Sequence, residues 1–193
     1  YFNPGWEKTI DVSWDGYQVP MGMKLLFSCD NVENLVVGAE ICEDVWVLNP
    51  PSIAHASAGA TVIVNCSASD EVTGKSEYRR SLISGQSARL LCAYIYANAG
   101  EGESSQDLVF GGQNIIAENG NILSESARFE NQTIYADIDL ERLECERRRM
   151  TTYQTEGRED YRFVSFTLDR KPLALERAID PTPFVPHDAG SRN

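Results

Sequence analysis

The chain has 193 residues, a formal net charge of −12, 42% hydrophobic and 24% charged residues. That size builds its own core and the balance is that of a globular domain, while the acidic surplus argues against nucleic acid or an anionic membrane surface as the main partner. No apolar run approaches the ~20 residues of a membrane span, and no signal peptide is visible.

Residues 1–20 are polar with interspersed aromatics. Ile10-Asp11-Val12-Ser13-Trp14 and Tyr17-Gln18-Val19 flank Asp15-Gly16, which predicts a β-hairpin. Lys24–Cys29 reads as a strand, Asp30-Asn31 as a turn, and Leu35–Ile41 as a further strand. That strand ends in Ile41-Cys42-Glu43-Asp44-Val45-Trp46, a thiol at the tip of a core strand followed by two acids. Pro51–Ala60 predicts a short helix capped by Gly59, and Thr61–Cys66 is a continuous apolar run of the buried parallel kind. Ser67-Ala68-Ser69-Asp70 leaves it as a polar loop. Glu77 to about Leu91 reads as a helix, with Tyr78, Leu82, Gly85, Ala88 or Arg89, and Cys92 recurring at spacings of three and four. Ala93–Asn98 is the next strand, followed by the Gly-rich loop from Ala99 to Ser105. Leu108–Gly112, Gln113–Glu118, Asn121–Glu125 and Thr133–Asp139 read as an antiparallel set around the Asn119-Gly120 turn. Leu140–Met150 is a charged helix, and beyond Thr151 the pattern dissolves into a tail ending in Pro-rich residues 180–186. The sequence opens at Tyr1 and closes on this linker-like stretch, which reads as a piece of a longer protein.

Alternation of strands and helices followed by hairpins predicts an α/β fold. Sites in such sheets form at the carboxyl ends of the strands, where the loops after Ile41, Cys66 and Asn98 would converge if their strands are parallel neighbours. Cys42 is then the candidate nucleophile. The chain has 5 cysteines at wide spacings with no CxxC pair, which fits reduced thiols in a cytoplasmic protein and neither a disulfide framework nor a zinc site. Only His55 and His187 could serve as an imidazole base, and neither is placed for it: one lies in an Ala-rich helix and one in the tail. Carboxylates and a lysine remain as partners. Lys24 and Glu40 fit poorly, the first on a peripheral strand, the second on the opposite face from Ile41.

Glu40-Ile41-Cys42-Glu43-Asp44-Val45-Trp46 resembles the nucleophile motif of the nitrilase/amidase superfamily (carbon-nitrogen hydrolases), in the Cys-Glu-Asp form of the glutaminase domains of glutamine-dependent NAD synthetases. Asn65-Cys66-Ser67-Ala68-Ser69 with Gly74-Lys75 and Arg79-Arg80 is similar to the loop that follows in that family, as are Tyr94–Ser104, Asp107–Gly112 and Tyr135–Glu141 further on; Pro183–Pro186 resembles its linker. The resemblance implies a nitrilase-like four-layer α-β-β-α sandwich, with residues 1–150 as the C-terminal part of the glutaminase domain and 151–193 as an extended tail towards an absent synthetase domain. It implies hydrolysis of the side-chain amide of L-glutamine by a Glu-Lys-Cys triad, with Cys42 as nucleophile and the Glu43 backbone N–H on the oxyanion. Ser69 and Lys75 would hold the α-amino and α-carboxylate groups, and Trp46 would form a wall of the pocket. The triad's Glu and Lys fall upstream of Tyr1 in the family pattern, so the 193 residues alone are expected to be inactive. The resemblance further implies a homo-oligomer, and no metal or cofactor in this domain. ATP and Mg belong to the synthetase domain, whose Ser-Gly-Gly-x-Asp-Ser loop is absent here. The alternatives are a stand-alone amidase of the same superfamily and a non-catalytic oligomerisation module.

Overall fold

A computed structural model describes residues 5–6, 8–103, 107–172, 174–179 and 181–182. The Pro183–Pro186 linker and Ser104 of the Gly-rich loop lie outside the described residues.

The hairpin forms as expected. β1 (Ile10–Trp14) pairs antiparallel with β2 (Tyr17–Met21), and Asp15 and Gly16 take φ of 47° and 80°, the left-handed pair that a two-residue turn of this type requires. It stands apart as a two-stranded sheet.

The main sheet takes β3 (Leu25–Cys29), β4 (Val36–Ile41), β5 (Val62–Ser67), β6 (Ala93–Asn98), β7 (Ile115–Glu118), β8 (Asn121–Glu125) and β9 (Arg162–Phe166), in the order β8-β7-β6-β5-β4-β3-β9. β4, β5 and β6 are parallel neighbours, with Ile41 opposite Cys66 and Ser67 opposite Asn98. Their carboxyl ends, and the loops that leave them, therefore lie side by side. β3 pairs antiparallel to β4, and the β7–β8 hairpin turns at Asn119 and Gly120, again both left-handed.

Helices α1 (Pro51–Ser57) and α2 (Lys75–Leu90) cover one face. α1 starts on Pro51 after an extended Pro50, and Gly59 leaves it with φ 116°. Gly38 of β4 lets α1 approach closely: a Cβ there would sit 3.0 Å from His55 Cβ and 3.1 Å from Leu26 Cδ2. The core on this face holds Leu26, Ile63, Ile83, Tyr94, Tyr96 and Ile115. The opposite face is closed at one end by α3 (Leu140–Arg149), whose Leu143 packs on Val62 and Ala93 with Val37, Val64 and Ile95 beside them. Towards the carboxyl ends the same face exposes Ala39, Ile41, Cys66 and Ala97. Apart from the β1–β2 hairpin, the described residues thus form one seven-stranded sheet with its covering helices, an α/β fold of the nitrilase type contributing two layers of the expected four.

Three expectations need correcting. Residues after Thr151 are not simply a tail: β9 pairs in parallel with β3 along its whole length, and Arg177 binds both oxygens of buried Glu118 at 2.7 and 2.8 Å. Leu108–Gly112 makes only an isolated bridge, Phe110 to Asp70, and Thr133–Asp139 forms no strand. The buried face of α2 is Ser76, Arg79, Ile83, Gln86, Ser87 and Leu90, while Tyr78 is exposed. The apolar spacing misled because the helix buries polar groups beneath the strand ends.

Arg147 locks α3 to the rest. Its guanidinium donates to the carbonyls of Leu91 (3.0 Å), Ala60 (2.6 Å) and Leu90 (3.2 Å) and lies over the Tyr153 ring. Arg147→Met would strand the Leu91 and Ala60 carbonyls and leave Leu90 only the Tyr153 hydroxyl, so unfolding in urea should show a loss of about 2–4 kcal/mol. A loss below about 1 kcal/mol would mean that water replaces the guanidinium freely.

Candidate active site

β4 ends at Ile41, and a 3₁₀ turn, Cys42–Trp46, follows immediately. Asp44 closes this turn, its Oδ2 accepting from the Ile41 N–H at 2.8 Å. Cys42 has φ 52°, a left-handed conformation unusual for a residue with a side chain. Its thiol is free and the residue half-buried. Glu43 follows on the same turn and is exposed.

Beneath Cys42 lies a buried polar chain. Asn65 Oδ1 accepts from the Cys42 N–H at 2.9 Å, and Asn65 Nδ2 donates to the Cys42 carbonyl at 3.3 Å and to the Tyr94 hydroxyl at 3.2 Å. Tyr94 donates in turn to Glu40 through a short hydrogen bond. The other Glu40 oxygen accepts from the Ser52 N–H at the start of α1 (2.8 Å), and Gln86 of α2 donates to the Ser52 hydroxyl (2.8 Å). Asn65, Tyr94, Glu40, Ser52 and Gln86 are all buried. Burial pushes the Glu40 carboxyl above its ordinary value, with the Tyr94 and Ser52 hydrogen bonds opposing. Burial and the adjacent Glu40 hold the Tyr94 phenol far above its usual range, so it keeps its proton and remains a donor.

The other sequence-designated residues gather beside the turn. Ser69 is buried, its N–H donating to Asn98 Oδ1 (2.9 Å) and its carbonyl accepting from Asn98 Nδ2 (3.3 Å). The loop from β5 is thereby pinned to the end of β6. Arg79, fully buried, holds the same loop from below. It pairs with Glu71 at 3.0 Å, donates to Gln113, and reaches Ser69 Oγ and the Asp70 carbonyl at 3.4 Å. Lys75 opens α2; its ammonium pairs with Asp70 and lies 5.7 Å from the Trp46 ring centroid. Trp46 also meets Tyr78 at 5.2 Å between ring centroids. Trp46, Lys75 and Asp70 therefore form one surface at the strand ends, braced from below where Arg79 reaches the Asp70 carbonyl.

Neither alternative base is placed for catalysis. His55 Nε2 donates to the Ala39 carbonyl (3.0 Å), which fixes the neutral tautomer and leaves Nδ1 to accept from the Tyr161 hydroxyl (2.8 Å). Burial lowers its pKa, favouring that neutral ring. Lys24 is paired with Asp160 at 2.8 Å near the far edge of the sheet. The large open clefts lie elsewhere, one of about 800 Å³ between α1 and residues 150–161. Sequence reading did not single out Asn65, Asp70 or Tyr94. Asn65 was visible only as a polar residue interrupting an apolar strand, a signal that a buried hydrogen-bonding role leaves behind.

Cys42 thus sits on a left-handed turn at the carboxyl end of β4, the third of three parallel strands that run β6-β5-β4, with the polar loops that leave β5 and β6 beside it. The chain belongs to the carbon-nitrogen hydrolase family, whose model matches residues 12–148. It is similar to the glutamine-dependent NAD(+) synthetase of Mycobacterium tuberculosis, 44% identical over 183 residues that cover 90% of this chain and 27% of that protein. The chain thus spans about a quarter of the length of the curated relatives it matches. A solved glutamine-dependent NAD(+) synthetase from Cytophaga hutchinsonii superposes with a TM-score of 0.51 at 32% identity, over 62% of this chain and 18% of that one. Nit3 of Saccharomyces cerevisiae, a nitrilase-superfamily member, shares the fold with a TM-score of 0.53 at 22% identity, over 62% of this chain and 43% of its own.

The Lys75 hydrogen bond holds the Asp70 carboxyl below its ordinary range. A depressed folded-state pKa means that the pair contributes above the unfolded value and fades as pH falls through the folded one. Carboxyl NMR titration should therefore place Asp70 low in the parent chain and return it to the ordinary carboxylate range in Lys75→Met. An unchanged midpoint would show that the pair does not persist in solution.

Proposed function

We propose that this chain supplies the nucleophile and the amino-acid-binding side of a glutaminase site, releasing ammonia for the ATP-dependent amidation of deamido-NAD to NAD. The observation that carries this reading is Cys42 held in a left-handed turn at the carboxyl end of β4, the turn that also carries Trp46, over whose ring the Lys75 ammonium lies. Support comes also from the identity to glutamine-dependent NAD(+) synthetases along 90% of the chain.

The Cys42 thiolate attacks the glutamine carboxamide carbon, forming a C–S bond while the carbonyl π pair moves to oxygen. The backbone N–H of Glu43 donates to that oxyanion, and a lysine of the triad supplies the matching charge. A triad glutamate takes the thiol proton and returns it to the departing nitrogen, so the C–N bond breaks and ammonia leaves. Water, deprotonated by the same glutamate, cleaves the thioester and releases glutamate and the free thiol. In this reading the glutamate and lysine of the triad come from outside these 193 residues. Lys75 meets the substrate α-carboxylate as a point charge, without the two-pronged fork an arginine would offer. Ser69 meets the α-amino group and Trp46 closes one side. ATP and Mg²⁺ belong to the synthetase portion; residues 151–193 lead towards it, and assembly into a homo-oligomer in the cytoplasm completes the proposal.

In the full-length protein, Cys42→Ala should reduce glutamine-dependent ammonia release by at least about 1,000-fold while leaving NAD synthesis from added ammonium in place. A glutamine-derived chloroketone should add to Cys42 and to no other cysteine by mass spectrometry. Retention of a tenth of the glutaminase activity in Cys42→Ala would sink the reading.

A further inference from the structure

We infer that the Asn65 carboxamide is a positioning residue for the nucleophile: it clamps both backbone polar groups of Cys42 and so holds that residue in the left-handed conformation from which it reacts. The inference rests on Cys42 being the nucleophile and goes beyond it, because it assigns the geometry of attack to a side chain of the neighbouring strand.

A left-handed cysteine costs free energy at every turn of such a chain, and the cost must be met by contacts that the extended form would lack. At Cys42 those contacts come from one amide. The N–H of Cys42 donates to Asn65 Oδ1 at 2.9 Å and its carbonyl accepts from Nδ2 at 3.3 Å. A single planar group thus holds the atoms on either side of the residue whose φ is 52°. Only an amide fits. One end must accept and the other donate, which excludes a carboxylate, and both atoms must lie in one rigid plane, which excludes a hydroxyl.

The orientation of the amide is fixed independently from its far side. The Tyr94 hydroxyl gives its proton to Glu40, so towards Asn65 it offers only lone pairs, and the atom it faces at 3.2 Å must be the donor Nδ2. Glu40 is set in turn by the Ser52 N–H and the start of α1. Donation runs from the Cys42 N–H through Asn65 and Tyr94 to Glu40, with Nδ2 also donating back to the Cys42 carbonyl, and a flipped amide would break it at both ends. Cys42 and the following Glu43 N–H are consequently oriented by a buried, fully paired chain rather than by the surface loop they belong to. The preorganised donor and nucleophile are the elements whose misplacement by about 1 Å costs about 100-fold in rate.

The test uses the full-length protein with Asn65→Ala, Asn65→Asp and Tyr94→Phe. Reactive sites are counted as the end-point stoichiometry of 6-diazo-5-oxo-L-norleucine on Cys42, and kcat per labelled site and KM for glutamine are measured. Asn65→Ala should lower kcat per site about 100-fold with KM within about threefold of the parent. Asn65→Asp should show a similar deficit at about pH 8 that narrows towards about pH 6, relative to the parent at the same pH, because a protonated carboxyl again carries one acceptor for the Cys42 N–H and one donor for its carbonyl. Tyr94→Phe, which leaves the amide's orientation unguarded, should lose about tenfold. If Asn65→Ala does not fold, the Asp and Phe variants carry the decision. A drop in labelled sites with unchanged kcat per site, or an Asn65→Asp deficit that does not depend on pH, overturns the inference. Failure of the parent protein to label at Cys42 removes the nucleophile assignment itself, and this inference with it.

Discussion

The layer between the central strands and α2 has to bury polar groups, and the rest of the fold is arranged to pair nearly all of them, Arg79 Nε being an exception. Glu40 faces the helices from β4, Asn65 from β5 and Tyr94 from β6, three neighbouring strands contributing to one chain of hydrogen bonds. A buried carboxylate and phenol would cost several kcal/mol if left alone, so the N-terminus of α1 must sit where Ser52 can donate, and α2 must present Gln86 to Ser52. The requirement explains why Gly38 interrupts β4: α1 has to come close, and a Cβ at that position would press on His55. It also explains why α2 buries serine, arginine and glutamine where an ordinary amphipathic helix would bury leucine.

A second arginine does at the opposite end what Arg79 does under the site. Arg147 collects three carbonyls at the amino ends of the strands and the end of α2, and Arg177 closes on Glu118 and the backbone near Asp137. Both come from the segment that follows the β7–β8 hairpin. With β9 added beside β3, the chain beyond Thr151 wraps the sheet that precedes it before running on. Residues 158–166 therefore share the fold of the carbon-nitrogen hydrolase domain: the edge strand they provide covers the hydrogen-bonding groups that β3 would otherwise present to solvent.

Much of this was legible in the sequence. β-branched runs marked β4, β5 and β6, the Asp15-Gly16 and Asn119-Gly120 pairs marked both hairpins, and the motif around Cys42 marked the family. What escaped reading depended on tertiary context. β9 is short and carries an arginine and a serine, which look like tail until β3 supplies a partner. Thr133–Asp139 alternates like a strand yet pairs with none of the strands, although β8 stands at an open edge of the sheet. Asn65 and Tyr94 could be placed on their strands, but the hydrogen bonds that give them a role run between strands and are set by register. A one-residue shift of β5 against β4 would turn Asn65 to the other face. Lys75 was legible as a cation at a helix start, and its partner Asp70 was not, since nothing in the sequence ties a loop acid to that helix.

The alternation along β4 shows why the turn at Cys42 has to be left-handed. Gly38 and Glu40 point to the helices, Ala39 and Ile41 to the other face, as their burial records. Continued with the same period of two, residue 42 would enter the helix layer, and a thiol there would be as closed as that of Cys92, which burial pushes up to about 12. The left-handed step takes Cys42 out of the pleat at the point where Asn65, one strand over, fills the layer in its place. The fold thereby keeps the polar layer paired and leaves the cysteine half-exposed at the end of a rigid strand. One side chain answers both needs, and that is why the strand can end in a half-exposed thiol without ending in a loose turn.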